Sequence, residues 1–165
     1  MSRPDSSATF AVRPAQPSDL AEVRDLIVEL AVYERAPDEV TLTLTQLERD
    51  FEAGCFEVTV AEDNRGKVVG MALHHARYST WKGSTWYLED LVVTEAWRGR
   101  GVGQALFAEV AKVAHNHHAQ RLEWQVLNWN EPAIGFYKAL NASLDDSWLN
   151  GRWTREQMNA WLAIQ

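Results

Sequence analysis

Apolar and polar positions alternate from Phe10 to Arg13, ahead of Pro14 and Pro17, which predicts a short first strand. The period then lengthens. Leu20, Val23, Ile27, Leu30 and Ala31 recur at helical spacing behind a Ser18 or Asp19 cap, and the helix they predict ends near Tyr33. Thr45-Gln46-Leu47-Glu48 has capping-box spacing and predicts a second, short helix with Leu47 and Phe51 on one side and Gly54 closing it. From Cys55 to Val93 the period falls to two: Phe56, Val58 and Val60 alternate, Asn64-Arg65-Gly66 reads as a turn, and strands follow at Val68 to Tyr78 and Thr85 to Val93. An antiparallel meander is expected there. Helical spacing returns from about Gln104 to His115, with Leu106, Val110 and Val113 on one face and Phe107, Ala111 and Ala114 beside it. A strand from Leu122 to Leu127, a helix from about Glu131 to Leu140 and a C-terminal helix opened by the Thr154 to Gln157 capping box complete the pattern. No repeat or low-complexity linker interrupts it, so one domain over 1–165 is expected, with a flexible lead at residues 1–8.

The stretch Arg98-Gly99-Arg100-Gly101-Val102-Gly103-Gln104 lies between a predicted strand and a predicted helix. A helix N-terminus presents unpaired N–H groups and partial positive charge, and glycines let an oxyanion approach the backbone with no Cβ in the way. Arg98 and Arg100 add full charges, so the context suits a phosphate. Dinucleotides, nucleoside triphosphates and coenzyme A all carry one. A triphosphate loop needs Gly-Lys-Ser/Thr, and none follows. The dinucleotide fingerprint needs its third glycine three residues after the second, whereas Gly99, Gly101 and Gly103 run at intervals of two after an antiparallel meander. On these residues alone, a glycine-rich turn without a ligand stays open.

Composition narrows the picture a little. With 165 residues, 46% of them hydrophobic, the chain has the size of one domain that buries a core. No apolar run reaches the roughly 18 residues that span a bilayer, and the start MSRPDSSATF has no apolar stretch of signal length, so a cytoplasmic protein with no membrane partner is expected. The net charge of -7 argues against a nucleic-acid partner and mildly favours a cationic one. Cys55 is the single cysteine; it excludes an internal disulfide and reads as a small buried hydrophobe. His115, His117 and His118 stand at a helix end, where imidazoles suit the dipole, with no constellation of ligands around them, so no metal is expected. Trp124 and Trp129 alternate with polar residues and are expected in core or subunit contacts.

Three ordered segments carry a resemblance: Leu88-Glu89-Asp90-Leu91-Val92-Val93, then Trp97 to Gly103, then Asn130-Glu131-Pro132-Ala133-Ile134-Gly135-Phe136-Tyr137. Together they resemble the GNAT superfamily of acetyl-CoA-dependent N-acetyltransferases, and within it the spermidine/spermine (diamine) and thialysine acetyltransferase group. Tyr33-Glu34 after the first helix also fits, and the resemblance covers roughly residues 10 to 155. It implies an α/β (α+β) GNAT fold: a central mixed, mostly antiparallel sheet of six to seven strands, about four flanking helices, and strands splayed around the cofactor. It implies a homodimer, and a loop that cradles the pyrophosphate of acetyl-CoA through Arg98, Gly99, Arg100, Gly101, Val102, Gly103 and Gln104. Leu91, Val92 and Val93 would meet the acetyl group through their backbone, and Asn130, Ala133 and Tyr137 the pantetheine arm. One departure is Asn141, where family members commonly have glycine; asparagine is the next-best residue for a left-handed C-cap.

Transfer of an acetyl group from a thioester to an amine needs a neutral amine, a polarised carbonyl and a proton for the leaving thiolate. An ammonium near pKa 10.4 is only about one part in 10³ neutral at pH 7, which a base or a desolvating site must offset. Glu89, on the strand before the loop, is the candidate base, directly or through a water. Asp90 is expected on the opposite face of that strand by pleat alternation, so the two carboxylates are not paired. Tyr137, two helical turns after Asn130, is the candidate acid. Tyr33, Glu34, Trp81 and Glu123 join Glu89 as candidate contacts for a small amine: a polyamine, a diamine or a lysine-like amino acid. A module that binds coenzyme A without turnover is the alternative, and retention of both Glu89 and Tyr137 favours the enzyme.

Overall fold

In the computed structural model, which describes residues 9–164, one sheet is built from β1 (Phe10–Pro14), β2 (Glu57–Asp63), β3 (Val68–Ser79), β4 (Gly83–Val93) and β5 (Leu122–Glu123), in that spatial order. β1 to β4 are antiparallel neighbours, and β5 runs parallel to β4. The helices are α1 (Leu20–Tyr33), α2 (Leu44–Glu52), α3 (Val102–Asn116), α4 (Glu131–Ala139) and α5 (Arg155–Leu162). The mixed, mostly antiparallel sheet agrees with the expected class, with five strands in place of six to seven and five α-helices in place of about four. The flexible lead expected at residues 1–8 lies outside the described residues. Two compact units divide the chain at Gln125 and Val126; the first holds the whole sheet with α1, α2 and α3, the second α4 and α5.

Pleat alternation sends the apolar side chains of the sheet to two faces. Val58, Val60, Val68, Met71, Leu73 and Val92 pack with Leu20, Val23, Leu26 and Leu47 of α1 and α2 on the first face. Ala61, Val69, Ala72, Trp86 and Leu88 pack with Val102, Leu106, Val110 and Ala114 of α3 on the second. Each such fully buried Leu or Val contributes about 1.5–3 kcal/mol. Gly70 lets α3 come close: a Cβ there would stand 3.1 Å from the Val92 carbonyl, 3.2 Å from Leu106 and 3.3 Å from Val102. Arg13 ties β1 to the start of α1 by a paired contact with both oxygens of Asp19, at 2.7 and 3.0 Å, and also meets Glu62. That guanidinium holds the Asp19 carboxyl below its usual range.

Three elements and one residue depart from the sequence reading. α2 opens two residues early, because Thr43 and not Thr45 forms the capping box, its hydroxyl accepting from Gln46 N–H at 3.2 Å while Gln46 accepts from Thr43 N–H at 2.9 Å. That start places Leu44 and Leu47 on the core side together. α3 also begins two residues early, which takes Val102 into the core. β5 ends at Glu123 instead of Leu127; its ladder to β4 covers only Trp86 and Tyr87, and Trp124 turns to meet Phe107 edge to face at 5.4 Å. Cys55, expected to be buried, is exposed in the turn after α2.

The second unit is organised by its caps. Asn130 accepts from Ala133 N–H at 3.3 Å to start α4. Asn141 takes the left-handed conformation, φ 60°, and Ala142 N–H closes back on the Tyr137 carbonyl at 3.1 Å, so asparagine fills the expected C-terminal role. Thr154 and Gln157 form the expected box at α5.

Candidate active site

The glycine stretch is a turn that delivers the chain into α3. Gly99 and Gly101 have φ of 70° and 82°, the left-handed region where a side chain costs energy, and Gly101 is the N-cap. No side chain caps α3, whereas Thr43, Asn130 and Thr154 cap α2, α4 and α5. The first-turn N–H groups of Val102, Gly103 and Gln104 therefore have no side-chain acceptor among the described residues and carry the positive end of the helix dipole. Gly103 is not required by the fold: a Cβ there would meet only Val93, at 3.8 Å. These features fit an anion with phosphate dimensions. Arg98 is directed elsewhere. Its Nε donates to the Val93 carbonyl at 2.9 Å, an Nη lies 3.7 Å from Glu29, and the guanidinium stands over the Tyr33 ring at 5.5 Å, so it braces the turn against β4 and α1. Arg100 lies over Trp97 at 5.3 Å.

Leu91, Val92 and Val93 form the end of β4 beside this turn. Because the β5 ladder stops at Tyr87, Leu88 to Val93 have no strand neighbour on that edge among the described residues. The expected splay is thus an unpaired edge of β4.

One residue changes the arrangement of the carboxylates. Leu73 pairs with Asp90 and His74 with Leu88, so Glu89 is the extra residue of a β-bulge. Leu88 and Leu91 both face α3 although three residues apart, and Val92 faces α1. Alternation run forward from Leu88 and backward from Leu91 puts Glu89 and Asp90 on the same face, that of α1 and α2. The expectation that Asp90 points away from Glu89 is therefore corrected: the bulge resets the pleat between them. Burial first, then the charges of Glu89 and Glu34, push the Asp90 carboxyl up to about 6. Burial also raises Glu34, at the C-cap of α1. Glu34, Glu89 and Asp90 form one acidic group on this face. The apolar spacing 86, 88, 91, 93 in β4, with one step of three, is the sequence signal that reveals the bulge.

Next to Glu89 the strand pair carries His75, Arg77 and Tyr87. His75 Nε2 lies 3.2 Å from Glu89 Oε2, and its ring is 5.5 Å from that of Tyr87. Burial, and then Glu89, raise the Tyr87 phenol above its usual range. Glu123 pairs with Tyr87 across the β4–β5 ladder and meets Arg121 at 3.3 Å. Trp81 is not brought to this group: it is 80% exposed at the β3–β4 turn, and Gly83, where β4 begins, is already six residues, about 20 Å of strand, from Glu89. His75 and Asp90 are the residues that the sequence reading missed.

In the second unit, Asn130 is the N-cap of α4, Ala133 supplies the N–H it accepts, and Tyr137 is buried, with its ring edge to face with Phe136 at 5.2 Å.

Comparison with known proteins follows the same lines. The model of the acetyltransferase (GNAT) family matches residues 20–142. Thialysine N-epsilon-acetyltransferase of Mus musculus is 34% identical over 163 residues, covering 92% of this chain and 96% of the relative. Spermidine/spermine N(1)-acetyltransferase-like protein 1 of Homo sapiens is 32% identical over 94% of this chain, which corresponds to 24% of that longer protein. Among solved structures, an aminoglycoside N-acetyltransferase in complex with CoA superposes with a TM-score of 0.73 at 18% identity, over 92% of this chain and 98% of the other.

Proposed function

Because this chain belongs to the acetyltransferase (GNAT) family, we propose that it moves the acetyl group of acetyl-CoA to a primary amine of a small substrate that carries more than one positive charge, a polyamine, diamine or lysine-like amino acid. The observation that carries the reading is the shared face of Glu34, Glu89 and Asp90. The charges of Glu89 and Glu34 raise the proton affinity of Asp90, that repulsion relaxes when cationic groups come between the carboxylates, and two ammonium charges offset it better than one.

Glu89 takes the proton from the attacking ammonium, directly or through a water, and so offsets the roughly 4–5 kcal/mol that keep the amine protonated at pH 7. Glu34 and Asp90 hold the remaining charge of the substrate, with Tyr33 and Glu123 as flanking contacts. The first turn of α3, with Gly99, Gly101 and Gly103, would hold the pyrophosphate of acetyl-CoA, which supplies the acetyl thioester. Arg100 adds charge to that turn, and Arg98 keeps it in place. N–H groups of Leu91 to Val93 on the unpaired edge of β4 polarise the carbonyl, Asn130 and Ala133 belong to the pantetheine side, and the phenol of Tyr137 is the proton source for the departing sulfur. A homodimer belongs to the same reading, supported by apolar side chains of the second unit that stand exposed, Trp148, Leu149 and Leu162 among them. A screen of thiol release from acetyl-CoA with a diamine, a lysine-like amino acid, an aminoglycoside and a simple alkylamine tests it. Turnover is expected to be fastest with the first two; a preference for the alkylamine overturns the reading.

A further inference from the structure

His74 and His75 are neighbours that the pleat sends to opposite faces, and their partners demand opposite charge states. His74 accepts a hydrogen bond at Nδ1, so its ring is neutral with a proton at Nε2. His75 meets only acceptors: the Ala76 carbonyl lies 3.1 Å from Nδ1 and the Glu89 carboxylate 3.2 Å from Nε2. A carbonyl oxygen cannot donate, so the contact at Nδ1 fixes that proton, and Nε2 is the basic nitrogen. Two lone pairs facing one another across 3.2 Å repel unless a proton lies between them. Glu89 and His75 therefore form a site for one shared proton.

We infer that His75 is a positioning residue of the transfer reaction: its Nε2 faces Glu89 Oε2 and receives the proton that Glu89 removes from the amine. The inference rests on the reading of Glu89 as base. The amine N–H proton passes to the Glu89 carboxylate, directly or through a water, and from Oε2 to Nε2, making an imidazolium with protons at both nitrogens. His75 keeps about a third of its side-chain surface open, so the imidazolium returns the proton to solvent and Glu89 is an anion again. No electron changes hands, and the net result is one proton from amine to water. While the imidazolium persists, Glu89 is engaged with it, so full activity needs the pair to have lost its shared proton.

The charged and titratable groups around His75 are known: Glu89, Tyr87 and Asp90 on β4, Arg77 on β3 with its guanidinium 5.0 Å over the Tyr87 ring, Glu123 on β5, Glu34 after α1, and His74 on the other face of β3. Asp90, whose carboxyl burial raises to about 6, also contributes to the acid side of the profile and must be separated from the pair.

The test is the pH profile of kcat/KM for the best amine in wild type, His75→Gln, His75→Phe, Asp90→Asn and Glu89→Gln. Glutamine donates to Glu89 but takes up no proton. Its acid limb is expected to move down by about one pH unit or more, because free carboxylate and imidazole groups titrate roughly two units apart. Phenylalanine and glutamine both lack the basic nitrogen that receives the proton, so about a tenfold or greater loss near neutrality is expected in each. Asp90→Asn removes the titration of that carboxyl from the profile, and the downward move caused by His75→Gln is expected to persist in the Asp90→Asn background. A limb that stays put in His75→Gln overturns the inference, whether or not it moves in Asp90→Asn. Glu89→Gln separates the two readings: near-normal turnover there removes Glu89 as base, whereas a loss of about 10²-fold or more with unchanged His75 profiles leaves the base standing and removes only His75.

Discussion

The indole N–H of Trp86 donates to Nδ1 of His74 at 3.0 Å, and Nε2 of the same ring donates to Thr59 Oγ1 at 2.9 Å. The imidazole is 1% exposed and must fold neutral, and burial lowers its pKa to about 4. A folded pKa below the unfolded one means that the unfolded chain binds more protons between about pH 6.5 and 4. This contribution to stability is therefore complete above that window and is lost as pH falls through it. Between pH 7 and 5 the loss is about 2 kcal/mol. Asp90, whose folded pKa is raised, works in the opposite direction over part of the range, so the effect is read as a difference. Urea unfolding at the two pH values is expected to show a smaller acid loss in His74→Gln, which accepts from the indole and donates to Thr59 without titrating.

Gly103→Ala separates ligand binding from folding. Gly101 has positive φ, so a side chain there strains the turn itself, but Gly103 is helical and its added methyl makes only an ordinary contact with Val93. Stability should hold or rise by roughly 0.5–1 kcal/mol, as for glycine to alanine inside a helix. Affinity for acetyl-CoA, measured by calorimetry, should fall about tenfold or more if the first turn of α3 closes on a phosphate. Unchanged affinity would place the ligand elsewhere.

Substrate charge should be read by the carboxylates that do not act as base. Glu34→Gln and Asp90→Asn are expected to raise KM for a diamine several-fold, about 1 kcal/mol each, with less effect for a monoamine of the same length. Paired steady-state measurements decide this. An equal rise for both amines would mean that neither carboxylate meets the second charge.

Tyr137→Phe should keep acetyl-CoA affinity and lower kcat by about 10² to 10³, within the range of general acid catalysis. The loss stays below the upper limit because a thiolate leaves tolerably well without help. A near-normal kcat would reduce Tyr137 to packing in α4.

Most of the fold could be read from periodicity, since a half-buried strand and an amphipathic helix show their buried faces as spacing. The breaks came where a local choice among equivalent signals was decided by packing. Thr43 and Thr45 both offer a capping hydroxyl, and only the first puts Leu44 and Leu47 against the sheet. Leu122 to Val126 alternates like a strand, yet its ladder closes after Glu123, opposite Tyr87 and short of the bulge in β4, and Trp124 packs on Phe107. At the site, the glycine turn was legible because left-handed backbone has few residues to choose from. The partnership of Glu89 with His75 was not, since it joins positions fourteen residues apart whose faces depend on the bulge.

The bulge has a consequence for how such a site arises. In a regular strand, neighbours in sequence never share a face, so no substitution alone can set two adjacent carboxylates side by side. Removal of residue 89 would leave Leu88, Leu91, Val92 and Val93 on the faces they now occupy and would close the ladder to β3 without a gap. The shortened sheet is a complete fold with half of the acidic pair. The second carboxylate is thus one inserted codon away from an ordinary β-hairpin, and such an insertion leaves every core position in phase.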